Sequence, residues 1–187
     1  MTSIVRYDAG SAFPAHDHPE GEEILVLEGV FSDEHGDWPA GTWLLNPEGF
    51  RHAPFSKPGC LLFVKLRQAA GSARRHCETR TDRLEWTATT IEGIERKELA
   101  AQSEYADSTW LERWRAGIDL GEKRLEGGAE YLILEGSFSD ESGVYGQGSW
   151  LRMPAGTTHR PKTDEGCEVY VKYGGVAELR SAKAMAK

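Results

Sequence analysis

Gly21-Glu-Glu-Ile-Leu-Val-Leu-Glu-Gly-Val-Phe-Ser-Asp33 returns 107 residues later as Gly128-Ala-Glu-Tyr-Leu-Ile-Leu-Glu-Gly-Ser-Phe-Ser-Asp140. The same offset, without a gap, maps Gly41 onto Gly148, Trp43 onto Trp150, Pro47 onto Pro154 and Gly49 onto Gly156. It continues through His52 and His159, Cys60 and Cys167, and Lys65 and Lys172. Between residues 21–66 and 128–173, 22 of 46 positions are identical, far above chance, so the chain carries a tandem duplication. Arg6, Ala9 and Gly10 return as Arg113, Ala116 and Gly117, which extends the repeat toward the N-terminus.

Each copy reads as short strands. From Glu22 to Glu28, Ile24 and Val26 alternate with Leu25 and Leu27, so both faces of the strand are apolar. That pattern belongs to a strand covered on both sides, as in the wall of a sandwich or barrel. Gly29, Gly36, Pro39, Gly41, Pro47, Gly49, Pro58 and Gly59 punctuate the segment after it. Short strands between such breaks predict an all-β fold of two antiparallel jelly-roll barrels in tandem. Residues 67–83 show no apolar pattern and read as the connection, which places barrel one at residues 1–80 and barrel two at residues 81–187. Residues 84–107 have no counterpart in the first copy, and stretches such as Leu84 to Thr90 are expected to add strands.

Composition narrows the function. The 187 residues are 39% hydrophobic and 28% charged, enough for one large domain or two compact ones of minimal size. A formal net charge of -8 argues against nucleic acid as a partner, because phosphate binding needs a positive field. No stretch approaches the roughly 20 apolar residues of a membrane helix, and the N-terminus lacks the apolar core of a secretory signal. Cys60, Cys77 and Cys167 form no CxxC motif and read as reduced thiols of a cytoplasmic protein.

The candidate chemistry lies in His16-Asp-His18-Pro-Glu-Gly-Glu22 and Pro47-Glu-Gly49-Phe-Arg-His52. In an extended segment, side chains two apart share a face, so His16 and His18 enter the same lumen. Glu22 lies four residues further on, and His52 arrives from another strand after the Pro47/Gly49 turn. Three imidazoles and a carboxylate are a donor set for one divalent transition metal. His35, in the loop after Asp33, reads as incidental.

These two motifs, together with the stretch Gly21–Asp37, Asn46-Pro47 and His52-Ala-Pro-Phe-Ser56, resemble the ChrR-type cupins, which include the zinc-binding cupin of the ChrR anti-sigma factor. The resemblance implies a tandem double-stranded β-helix, a bicupin, with metal ligands at His16, His18, Glu22 and His52. It also implies zinc ahead of iron, manganese or nickel. The anti-sigma factor carries a helical zinc domain ahead of its cupin, whereas this sequence opens on a cupin strand. The expectation is therefore a binding module for a small molecule or oxidant, without a sigma-factor-binding domain of its own. The alternative is a metal-dependent dioxygenase cleaving a small diketone or hydroxyketone. Glu22 favours the first, since diketone-cleaving relatives use three histidines alone.

The second copy replaces His16, His18 and Glu22 by Lys123, Leu125 and Ala129, so its site is expected to be degenerate, with His159 a remnant. Glu23 and Glu130 read as serving turns or domain contacts, and Trp43 and Trp150 as core. Cys60 and Cys167 read as buried fillers. Phe13, Ile24, Val26 and Phe50 suggest an apolar lumen able to accept a small organic ligand. The first barrel lacks the additional strands at 84–107, which leaves an open sheet edge and predicts a homodimer.

Overall fold

A computed structural model describes residues 1–69, 71, 73–102 and 104–174. Residues 175–187, assigned from sequence to barrel two, lie outside the described residues. The chain is all-β and divides into two compact units, Met1–Leu84 and Glu85–Lys187. No helix among the described residues is long and apolar enough to cross a membrane.

The organising element of the first unit is the strand Glu22–Asp33. Its first half pairs with Thr42–Asn46 on one side and Cys60–Leu66 on the other. Its second half leaves that sheet and pairs with Gly36–Pro39, and Ser32 meets Phe55 of the short strand Phe55–Ser56. One strand thus serves both walls of a double-stranded β-helix, and the change of wall occurs at a bulge between Val26 and Glu28. Gly29 completes the bend at φ +71°, where an added Cβ would collide with the Gly59 carbonyl oxygen. Only glycine fits both the dihedral and the approach. The second unit repeats the device in Ala129–Asp140, with its bulge between Ile133 and Glu135 and Gly136 at φ +68°.

Alternation puts Ile24, Val26, Phe31, Trp38, Leu44, Leu62 and Val64 into one buried cluster. Ile24 and Val26, expected to line an open lumen, belong to this packed core, and Phe13 is 46% exposed against the Tyr7 ring. Trp43 is fully buried, as expected, and its indole donates to Glu23 Oε1 at 3.0 Å. Glu23 therefore holds a core tryptophan inside a strand and does not serve a turn. Trp150 departs from the core expectation at 43% exposure, because Arg152 takes the Glu130 carboxylate at 2.5 Å.

The units differ at their sheet edges. Residues 67–83 are not merely a connection: Cys77–Arg80 forms a strand on Thr42–Asn46, followed by a 3₁₀ turn at Thr81–Arg83. In the second unit, Ile94–Ala101 pairs with Ser108–Trp114 and carries Thr87–Ala88 beyond it. The corresponding first-unit strand, Thr2–Tyr7, is the terminal strand of its sheet.

Candidate metal centre

The short strand His16–His18 pairs antiparallel with Phe50–His52, and the register sets His16 directly opposite His52. His18, two residues from His16, shares that face. A tight turn comes next: Gly21 N–H and Gly49 N–H both donate to the His18 carbonyl, at 3.1 and 2.8 Å. It delivers Glu22 as the first residue of the long strand, which explains the spacing of three residues between His18 and Glu22.

The three histidines converge. One ring nitrogen from each of His16, His18 and His52 lies within 4.8 Å of the others. His18 Nε2 and His52 Nε2 face each other at 2.9 Å. Glu22 Oε2 is 3.5 Å from His18 Nε2 and 3.6 Å from His52 Nε2, on the flank of this trio and outside its mutual 4.8 Å circle. All four residues expected from sequence thus share one site, with the carboxylate to one side. His18, Glu22 and His52 are buried and His16 is exposed, so the cluster has one open side.

Hydrogen bonds from Nδ1 orient two rings of the trio. His52 Nδ1 lies 3.0 Å from Asp33 Oδ2, and His16 Nδ1 lies 2.9 Å from the Pro14 carbonyl oxygen. Both oxygens accept, so each Nδ1 donates outward and each Nε2 is the nitrogen turned toward the trio. Asn46 Nδ2 donates to Glu22 Oε2 at 3.0 Å and fixes the carboxylate. Burial, then His52 and His16, push the His18 imidazole down to about 4, so it is neutral at pH 7. Burial also raises the Glu22 carboxyl, although His52, Asn46 and His16 pull it back. Imidazoles with converging ring nitrogens and a buried carboxylate form a set that a divalent cation fits.

Asp33 is not among the residues that the sequence singles out. A signal for it exists, because Asp33 and His52 recur together as Asp140 and His159, and His159 Nδ1 lies 3.4 Å from Asp140 Oδ2. The second site stops there. Lys123, Leu125 and Ala129 occupy the other ligand positions, and His159 Nε2 is buried without a hydrogen-bond partner among the described residues. Among the described residues no cluster of potential ligands includes His159.

A family model for the ChrR cupin-like domain matches residues 1–70 and 74–177. The chain belongs to that family. Solved structures with the same fold include a provisionally assigned dioxygenase of Nostoc punctiforme, 15% identical, with a TM-score of 0.78 over 96% of this chain and 71% of that one. A salicylate 1,2-dioxygenase of Pseudaminobacter salicylatoxidans is 12% identical, with a TM-score of 0.69 over 94% and 71%. An oxalate decarboxylase variant of Bacillus subtilis is 12% identical, with a TM-score of 0.66 over 95% and 69%. At such identities these likenesses establish the bicupin fold of this ChrR-like chain. A comparison with curated proteins finds no match.

Proposed function

We propose that the first barrel holds one divalent first-row metal ion through His16, His18, His52 and Glu22, and that the protein is a metal-bearing binding module for a small molecule or oxidant. The observation that carries this reading is the convergence of three ring nitrogens within 4.8 Å, with Glu22 Oε2 beside two of them. Zinc is the first expectation, because three imidazoles and a carboxylate complete a four-ligand zinc shell. A bound ion in this place supplies Lewis acidity toward an oxygen or nitrogen donor of the ligand. Asp33 orients His52, Asn46 orients Glu22, and Pro14 orients His16. The exposed side of His16 is the entry for the small molecule.

A dioxygenase acting on a small diketone or hydroxyketone is the second reading. It is favoured by one feature, the position of Glu22 outside the mutually close histidine trio. With iron in place of zinc, that arrangement leaves room for substrate beside three imidazoles. Elemental analysis of protein prepared without added metal or nickel affinity resin, coupled to oxygen uptake with acetylacetone, separates the two. Zinc with no oxygen uptake supports the binding module. Iron with metal-dependent oxygen uptake replaces it with the enzyme.

A further inference from the structure

The second barrel has lost three of the four ligand positions, yet its interior was rebuilt with polar groups. At the repeat offset of 107, Val5, Ile24 and Leu66 of the first barrel become Glu112, Tyr131 and Tyr173. In the first unit those residues belong to, or pack against, an apolar cluster. In the second, Glu112 is 1% exposed and accepts from Trp114 Nε1 at 2.8 Å, Arg96 Nε at 2.7 Å and Tyr173 Oη at 3.2 Å. Three donors satisfy its carboxylate, and Arg96 neutralises its charge. Arg96 comes from the strand Ile94–Ala101, and its guanidinium lies over the Trp110 and Tyr173 rings.

This network borders a cavity of about 350 Å³ lined by Arg96, Glu112, Lys123, Leu125, Tyr131 and Tyr173 among others. The volume suits a small organic molecule, and the Tyr131 and Tyr173 rings meet edge to face at 6.2 Å along its wall. Charge around it is uneven. Arg96 is paired with Glu112, and Arg124 is paired with Glu126 at 2.9 Å. Lys123 lines the same cavity, is half-buried, and has no ion-pair partner among the described residues. It stands at the repeat position of His16, directly across the ladder from His159. The position that offers a metal ligand in one barrel offers a fixed positive charge in the other.

We propose that the second barrel is a metal-free binding site for a small organic monocarboxylate, with Lys123 as the partner of the anion and Tyr131 and Tyr173 as the walls for its apolar body. A single uncompensated cation beside aromatic and aliphatic surface selects one negative charge on a largely apolar frame. A second negative charge is disfavoured by Glu112, already in the cavity wall. The site is independent of the metal centre proposed for the first barrel.

Benzoate is the probe, with benzamide as its neutral counterpart of the same shape, titrated by calorimetry into the whole chain. Benzoate is expected to bind saturably at one site per chain, and benzamide at least about tenfold more weakly, as loss of a charge-assisted hydrogen bond dictates. Lys123→Gln should weaken benzoate by a similar factor, Lys123→Arg should retain it within a few fold, and neither should change the melting temperature. A chain carrying His16→Ala and His18→Ala should bind benzoate like wild type, which keeps this site distinct from the metal centre. Absence of saturable benzoate binding, equal affinity for benzamide, or loss of binding in the double histidine variant would each overturn the proposal.

Discussion

His52 donates through Nδ1 to Asp33 Oδ2 at 3.0 Å, and both side chains are buried. The bond orients the ring so that His52 Nε2 faces His18 Nε2 at 2.9 Å. Asp33→Asn keeps the shape and removes the charge. The variant is expected to stay folded and to lose roughly 10–100-fold in metal affinity, the usual cost of losing a carboxylate behind a ligating imidazole. Competition against a chelator measures it. Unchanged affinity would show that Asp33 orients nothing.

The bend of the long strand depends on Gly29, where a Cβ would run into the Gly59 carbonyl oxygen at a positive φ. Gly29→Ala must displace the Gly59 turn as well as strain its own backbone. A loss of at least about 2 kcal/mol in urea unfolding is expected. Gly49→Ala has no atom within 4 Å of the added Cβ and meets only the dihedral penalty, so it should cost less.

The thiols differ in access. Burial, then Glu112, pushes the Cys167 thiol up to about 12, and burial also raises Cys60, so neither is a thiolate at pH 8. Cys77 is only half-buried on the strand Cys77–Arg80. A thiol reagent at pH 8 should therefore modify one cysteine quickly in the native protein and three after denaturation, with peptide mapping placing the fast one at Cys77. Fast labelling of Cys60 or Cys167 would contradict the packing described.

Thr2–Tyr7 ends its sheet with Ile4 49% exposed, an edge suited to pairing with a second copy. Light scattering is expected to give twice the 20.7 kDa chain mass. Ile4→Lys should shift it toward monomer. A wild-type mass of one chain removes the dimer.

The double barrel was legible because the duplication kept loop lengths. Glu22–Asp33 and Ala129–Asp140 are the same strand moved by 107 residues, bulge and glycine included. The convergence of His16, His18 and His52 was legible because a strand period of two and a strand pairing bring them together. Other features left no such trace. Cys77-Glu-Thr-Arg80 forms an edge strand without apolar alternation, since no face of it enters the core. Trp150 repeats Trp43 in sequence, but its environment depends on Arg152, whose counterpart is Leu45. Asp33 gains its role only when the fold brings His52 against it.

The central claim is one metal ion per chain, held in the first barrel. Leu125 and Ala129 offer no lone pair, Lys123 brings a positive charge, and His159 Nδ1 lies against Asp140 Oδ2 at 3.4 Å. Residues 11–20 and 118–127 share no identical position, so divergence is concentrated where the ligands were. The direct measurement is metal content per chain by inductively coupled plasma mass spectrometry, on wild type, on the double variant His16→Ala with His18→Ala, and on His159→Ala. The account predicts one equivalent, none, and one equivalent. Two equivalents in wild type, or loss of metal in His159→Ala, would contradict it.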